Sequence, residues 1–453
     1  MPVVPHVLRH AVEQPSKLAV CGPGGELTYA ELARKINGAA RHLRGQGVGP
    51  GSLVAVGPAD PVEFIAAALA ADLAGATPVV GDPSWSHERW SQVSGPAGPL
   101  TFLGESLPYA AGPEVRREPR PDDLAWACFS SGSTGRPRAI VRRRASWTAS
   151  FPHLSDLAGI GADDVVLVPG PLASSLYSFA AMHALAVGAT ALVPGRPPTR
   201  AALASYVSRA TVVHVVPGQL ADMLGHPGSR LRAAVVGGAA LDPGVRAAAA
   251  RAGVHTLAYY GATELSFVAV DVDGDGLRPF PGVEIEVRPE PGSALGAVWV
   301  RSPWLAEGYL GGAAGPLRRD PDGWVTVGDV AEPYRLGEVL RVRGRGDGAI
   351  QTGGATVVPE DVEAVLRQVP GVGDVVVVGS PHPSLGAVVT AVVEGVPSRA
   401  LLEATARNGL DAAQRPRLWY AVPSLPRTPT GKPARALLAA RLASGDPGIR
   451  RLN

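Results

Sequence analysis

Residues 52–82 read SLVAVGPADPVEFIAAALAADLAGATPVVGD. SLVAVG is a short apolar strand, PVEFIAAALAADLAGA a helix, and TPVVGD a second apolar strand. Upstream, LTYAELARKINGAARHLRGQG (27–47) reads as a capped amphipathic helix. The rhythm returns at TVVHVVP (211–217) and LRAAVVGG (231–238). Helices alternating with Val-rich strands predict an α/β fold, a mostly parallel sheet covered by helices on both faces.

From about residue 280 the texture changes. VEIEVRPE, GAVWVRS, WVTVGD and EVLRVRGR are short alternating strands with turns between them, as in a small antiparallel barrel or meander. After Arg345-Gly346-Asp347-Gly348 come a helix behind Pro359, the strands DVVVVG and AVVTAVVEG, another helix, and a last helix behind Pro433. This tail reads as a small α+β domain. Two glycines around Asp347 permit large φ/ψ changes and mark a hinge. The expected division is a large domain over 1–346 and a small one over 347–453.

Composition narrows the functional classes. Of the 453 residues 46% are hydrophobic and 18% charged, enough apolar material for buried cores. The net charge of +2 gives no field to gather nucleic acid or an anionic membrane. Cys21 and Cys128 stand outside any C-x-x-C pair, so neither a disulfide framework nor a cysteine metal site is expected. The start, MPVVPHVLRHAVEQP, lacks the apolar core of a signal peptide, and a cytoplasmic setting is expected. Val165–Gly195 carries no Asp, Glu, Lys or Arg over 31 residues. Pro169, Pro171 and Pro194 interrupt it, which predicts a buried strand, loop and helix rather than a membrane span.

Four clusters carry chemistry. FSSGSTGRPRA (129–139) follows the strand LAWACF and offers hydroxyls and open backbone amides that can wrap phosphate oxygens. It is neither a G-x-x-x-x-G-K-[ST] loop nor a G-x-S-x-G elbow. Tyr260-Gly261-Ala262-Thr263-Glu264 sets an aromatic face for a base, a hydroxyl for phosphate and a hard oxygen for Mg2+ within five residues. Val327-Gly328-Asp329 ends a strand with an acid suited to a ribose diol. Pro426-Arg427-Thr428-Pro429-Thr430-Gly431-Lys432 presents a lysine just before a helix. Lys and Arg total 42, and only Lys17, Lys35 and Lys432 are lysines, leaving 39 arginines. A lysine at 432 in such a chain points to a compact ammonium where a guanidinium would fit badly.

In this order and spacing the four clusters resemble the adenylate-forming superfamily of acyl-CoA synthetases, carrier-protein adenylation domains and luciferases, over essentially the whole chain. The resemblance implies a large domain of helix-covered sheets plus a barrel-like subdomain, and a mobile C-terminal domain swinging about Asp347. It implies ATP, Mg2+ and coenzyme A as cofactors and a small-molecule carboxylic acid as substrate. Ser130, Ser131, Gly132, Ser133, Thr134 and Gly135 resemble the loop holding the β- and γ-phosphates. Gly237, Gly238 and Ala239 resemble the segment beside adenine, Tyr260 with Gly261 the stacking element, Thr263 the phosphate-binding hydroxyl and Glu264 the Mg2+ ligand. Asp329 and Arg345 resemble the ribose grips, Lys432 the catalytic lysine of adenylation, and Gly353 and Gly354 the glycines flanking the pantetheine tunnel. Departures are Arg138 for Lys, Ala139 for Gly, Ala258 for Asn, Val327 for Thr and Gln351 for Lys. None removes a group the mechanism requires.

Within PLASSLYSF (171–179) the members that activate α-amino acids place an Asp for the ammonium; this sequence has none, and an unpaired buried ammonium is costly. The expected acid pocket is neutral: Ser174, Ser175, Tyr177, Val236 and Ser266. The leading expectation is an acid:CoA ligase. The alternatives are a stand-alone adenylation enzyme that loads a carrier protein or forms an amide, and a catalytically weak nucleotide-binding regulator. Asp271–Gly276 imitates an EF-hand start but has Gly282 at position 12, so it is expected to be a polar hairpin turn. Arg142-Arg143-Arg144 is expected to be a solvated face or a contact for nucleotide phosphate.

Overall fold

The computed structural model describes residues 2–85, 90, 100–104, 106–129, 138–195, 200–226, 228–272, 274–289, 294–345, 348, 350–352, 355–382, 386–410, 414–428 and 431–452. The chain forms two compact units. The first comprises Met1–Ser130, Pro137–Glu284 and Val300–Val325, and the second includes Ile285–Trp299 and Thr326–Asn453.

In the first unit the opening stretch folds as its pattern dictates. The Asp60 carboxylate accepts from the amides of Val62 and Glu63 at 2.9 and 3.0 Å, closing the first turn of helix Pro61–Ala74. Every residue of that helix except Glu63 is buried, as an all-round apolar helix requires. The flanking strands Leu53–Val56 and Thr77–Val80 pair in parallel, and Leu53–Val56 also pairs in parallel with Leu100–Leu103. Thr77–Val80 pairs in turn with Leu124–Phe129, which turns back antiparallel onto Ala139–Arg143. The helix Tyr29–Gly45 opens with a reciprocal cap between Thr28 and Glu31.

Among the described residues a second, nine-stranded sheet runs through the same unit. Its centre is parallel: Thr190–Leu192, Val165–Leu167, Val212–Val215, Ala233–Val236 and His255–Ala262 lie side by side. At one edge Ser266–Asp271 and Arg278–Pro279 continue antiparallel. The EF-hand imitation is the polar turn between these last two strands, where Asp271 accepts from the amide of Gly274 at 2.6 Å and pairs with Arg246 at 2.7 Å. The uncharged run is strand Val165–Leu167, helix Ser175–Val187 and strand Thr190–Leu192. Among the described residues no helix is long and apolar enough to cross a membrane.

In the second unit Val372–His382 and Gly386–Gly395 form a long antiparallel ladder, with Leu418–Val422 added in parallel. DVVVVG lacks polar alternation because both of its faces are covered. Val375 and Val377 pack with Val362, Leu366, Leu402 and Trp419, while Val376 and Val378 pack with Leu438 and Leu425. Residues near 330 and 343 form antiparallel pairs, Ala297 with Val330 and Asp329 with Arg345, in line with their alternating pattern.

Candidate active site

The sheet edge at Tyr260–Ser266 builds the centre of the site. Strand His255–Ala262 pairs residue for residue with its antiparallel partner up to Tyr260 and Ala269. The register then shifts, so that Gly261 faces Phe267 and Ala262 faces Ser266. The backbones come so close that a Cβ on Gly261 would sit 2.1 Å from the carbonyl oxygen of Ser266, which restricts the position to glycine. Among the described residues Ser266 is the one non-glycine with positive φ, +59°. The Leu265 amide donates to the Ala262 carbonyl at 3.0 Å, and this tight turn thrusts Thr263 and Glu264 off the end of the sheet.

Both side chains are held. Thr263 Oγ1 and Ser175 Oγ share a hydrogen bond of 2.8 Å at the start of helix Ser175–Val187. Glu264 is buried, at 4% exposure. Its Oε1 accepts from the Tyr309 phenol at 3.0 Å, and its carbonyl accepts from the Ala306 amide at 2.8 Å. Burial first, and then the charge of Glu264, push the Tyr309 phenol up, so it stays protonated and remains the donor; the charge of Arg138 opposes this. Phe129 and Ala139 face each other across the strands that flank the phosphate-loop motif. The expected loop residues Ser130–Gly135 lie outside the described residues.

Of the expected acid-pocket residues, Ser174, Ser175 and Tyr177 lie at the start of helix Ser175–Val187, whereas Val236 packs with Val215, Leu220 and Met223. Tyr177 is fully buried and donates to Gln219 Oε1 at 2.7 Å; burial pushes its phenol up to about 12. Val236 is buried at the end of its strand. Gly237 follows, with the ring of Tyr259 so close that a Cβ would meet it at 2.3 Å. Tyr259 also packs on Phe267, ring centroids 4.5 Å apart. Ser174 and Ser175 are partly exposed, and Cys128 is a buried thiol pushed up to about 12, hence protonated at neutral pH.

In the second unit Asp329 is buried at 8% exposure beside Gly328, whose φ is +83°. Lys432 is exposed on a hairpin-like loop: Thr428 donates to its carbonyl at 2.7 Å, and the Ala434 amide donates to Pro426 at 2.7 Å. Arg427 clamps that loop, donating to the Gly431 carbonyl at 3.1 Å and pairing with Asp374 at 3.1 Å and Glu394 at 3.3 Å. Asp347, Gly353 and Gly354 lie outside the described residues, as does the Arg345 side chain.

The chain matches the AMP-binding enzyme model over residues 7–111 and 94–310, and the AMP-binding enzyme C-terminal domain over 361–432. It belongs to the AMP-binding enzyme family, the adenylate-forming superfamily. This AMP-binding enzyme is 30% identical over 466 residues to an uncharacterized acyl-CoA ligase, YhfT, of Bacillus subtilis, covering 94% of the chain and 95% of the relative. It is 26% identical over 516 residues to the medium/long-chain-fatty-acid–[acyl-carrier-protein] ligase FadD10 of Mycobacterium tuberculosis, covering 97% and 95%. The amide bond synthetase McbA of Marinactinospora thermotolerans superposes with a TM-score of 0.80 at 27% identity, over 97% of this chain and 100% of that one. ATP-bound MatB of Rhodopseudomonas palustris superposes at 0.84 and 22% identity over 96% and 98%, which establishes the shared fold.

The AMP-binding enzyme's arginine run departs from expectation. Alternation along strand Ala139–Arg143 puts Arg142 on the same face as buried Ile140, and Arg142 is 2% exposed. Arg144 is buried in a two-pronged pair with Asp72, at 2.5 and 3.1 Å. Arg143 alone faces outward, against Glu307 at 2.7 Å. The run is thus neither a solvated face nor, in its two buried members, an exposed phosphate contact. Tyr309, Gln219 and Tyr259 contact candidate site residues and were missed by motif reading. Tyr309 sits in LAEGYL, and only a contact made 45 residues away along the chain marks it.

Proposed function

We propose that this AMP-binding enzyme activates a carboxylic acid other than an ordinary α-amino acid as its acyl adenylate and passes the acyl group to the thiol of coenzyme A. The observation that carries the reading is the pairing of a fixed hydroxyl and a buried carboxylate, Thr263 and Glu264, on one strained turn at the end of a parallel sheet, where α/β sheets receive ligands.

A carboxylate is a poor electrophile, so the first step gives it a leaving group. Its oxygen attacks the α-phosphorus of ATP, the bond from that phosphorus to the bridging oxygen breaks, and pyrophosphate leaves. Thr263 is assigned to the phosphate oxygens, with Ser175 fixing its rotamer. Lys432 is assigned to the charge that develops at the α-phosphate, a contribution on the order of 3 kcal/mol. Tyr260 and Gly237–Ala239 are assigned to the adenine, and Asp329 with Arg345 to the ribose. In the second step a thiolate attacks the carbonyl carbon, the bond to the phosphate oxygen breaks, and AMP leaves. Movement about Asp347 would withdraw Lys432 and bring Gly353-Gly354 toward the thiol.

Mg2+ fits Glu264 by the chemistry of the donor: the ion takes one or two carboxylates and fills its shell with phosphate oxygens and water. Among the described residues no group of three His, Cys, Asp or Glu is gathered that would hold a metal by itself. Bound there, the ion would neutralise charge on the phosphates, and Tyr309 would aim the carboxylate that holds it.

The neutral lining from Ser174 to Tyr177, with Gln219 and Tyr259 behind it, supports an acid whose only charge is its carboxylate. Carrier-protein loading or amide formation is the second reading, favoured by similarity to the FadD10 ligase and to McbA. Pyrophosphate release across a panel of acids, with coenzyme A, a carrier protein or an amine as acceptor, separates the two. Turnover only with carrier or amine overturns the coenzyme A step.

A further inference from the structure

We propose that Arg142 is a positioning residue of the nucleotide site, holding the Thr263–Glu264 turn where MgATP is received. The proposal rests on the reading of Thr263 and Glu264 given above and gives Arg142, expected from the sequence as a surface or phosphate-contact residue, a role inside the core.

Arg142 is a guanidinium in the core, 2% exposed, and its hydrogen bonds go to neutral oxygens. Nε donates to Ser146 Oγ at 3.2 Å and Nη2 to the Ser146 carbonyl at 2.7 Å. Nη2 also donates to the Trp304 carbonyl. Nη1 reaches the Thr263 carbonyl at 3.5 Å, a long contact. The plane lies over the Trp147 ring, 4.9 Å from its centroid. Trp304 begins the segment whose Ala306 amide holds the Glu264 carbonyl and whose Tyr309 phenol holds the Glu264 carboxylate. One fork therefore ties together the two segments that fix the turn, the near side through Thr263 and the far side through Trp304.

Burial pushes the guanidinium down to about 10, and Cys128 and then the Glu264 carboxylate oppose that fall. At neutral pH Arg142 is still charged. Burying a cation costs several kcal/mol unless its surroundings compensate, and an apolar side chain against the Trp147 ring would avoid that cost. What the guanidinium adds over an apolar residue is a planar fork that reaches three carbonyls, those of Ser146, Trp304 and Thr263.

The test is calorimetric titration of ATP, with and without Mg2+ and in the absence of acid, on wild type, Arg142→Met and Arg142→Lys, together with steady-state kinetics. For Arg142→Met the Mg2+-dependent gain in ATP affinity falls at least about tenfold, the scale for removing a partner that orients a metal ligand. KM for MgATP rises with it, and KM for the acid stays put. Arg142→Lys, which keeps a donor for these carbonyls and loses the planar fork, recovers part of the affinity; it also carries the measurement if Arg142→Met does not fold. A merely structural role would lower Tm and the active fraction but leave both KM values unchanged, and that result overturns the proposal. Wild-type protein that binds no MgATP overturns the assignment of Thr263 and Glu264 as well.

Discussion

The Tyr309 phenol donates to Oε1 of Glu264 across 3.0 Å while accepting the Leu317 amide at 3.2 Å. One side chain thus links the buried carboxylate to a separate loop and fixes its direction. A hydrogen bond to a charged group contributes about 1.5–3 kcal/mol. Tyr309→Phe is expected to lower kcat/KM for MgATP by about tenfold or more, with KM for the acid unchanged, as read by pyrophosphate release at varied ATP. Wild-type kinetics in this variant would remove Tyr309 from the site.

The Lys432 loop gives a second expectation. Lys432→Ala is expected to lose adenylation by roughly 100-fold or more, while thioester formation from supplied acyl adenylate is kept. Separate assays of the two half-reactions check this, and equal loss in both contradicts the division of labour. Arg427→Ala, which releases the clamp on Asp374, Glu394 and the Gly431 carbonyl, is expected to show the same asymmetry in milder form.

The buried Asp72–Arg144 pair makes a prediction about stability. Its side chains are 2% and 8% exposed. Removing one partner strands a charge in the core and costs about 3–5 kcal/mol. Asp72→Leu is therefore expected to shift the urea midpoint strongly, and the double variant Asp72→Leu/Arg144→Leu to lose less than the single one. A double variant at least as unstable as the single would show that the pair's attraction outweighs its desolvation.

Acid stability follows from two core histidines. Burial pushes His183 down to about 4 and His214 down to about 3, from 6.5. Both are neutral when folded and take up protons on unfolding, so the stability they contribute is present above pH 6.5. It is lost as pH falls from there toward 4, by about 1.4 kcal/mol per pH unit for each residue. Tm measured between pH 7.5 and 5 is expected to fall steeply below 6.5, and His183→Gln to flatten the slope. A wild-type Tm that does not change over that range contradicts the assignment.

How much of this is legible in the sequence differs by element. Helix Pro61–Ala74 and its two strands follow from local pattern alone, because cap, length and apolar run agree. Thr263 and Glu264 are legible as a cluster, since the turn that presents them is local. Tyr309 and Gln219 are not, because their roles depend on hydrogen bonds to residues 45 and 42 positions away in sequence. The three arginines mislead for a related reason. A charge run reads as surface, whereas strand alternation turns Arg142 inward and the following helix turns Arg144 onto Asp72.

The central claim is that a carboxylic acid becomes a mixed anhydride with AMP in a site built on Thr263 and Glu264. It is tested most directly by mass spectrometry of the enzyme incubated with MgATP and an acid panel, without any acceptor. The account predicts an acyl adenylate formed in step with pyrophosphate, and its loss in Glu264→Gln. ADP and phosphate as the products, or an acyl adenylate formed equally well by Glu264→Gln, would contradict it.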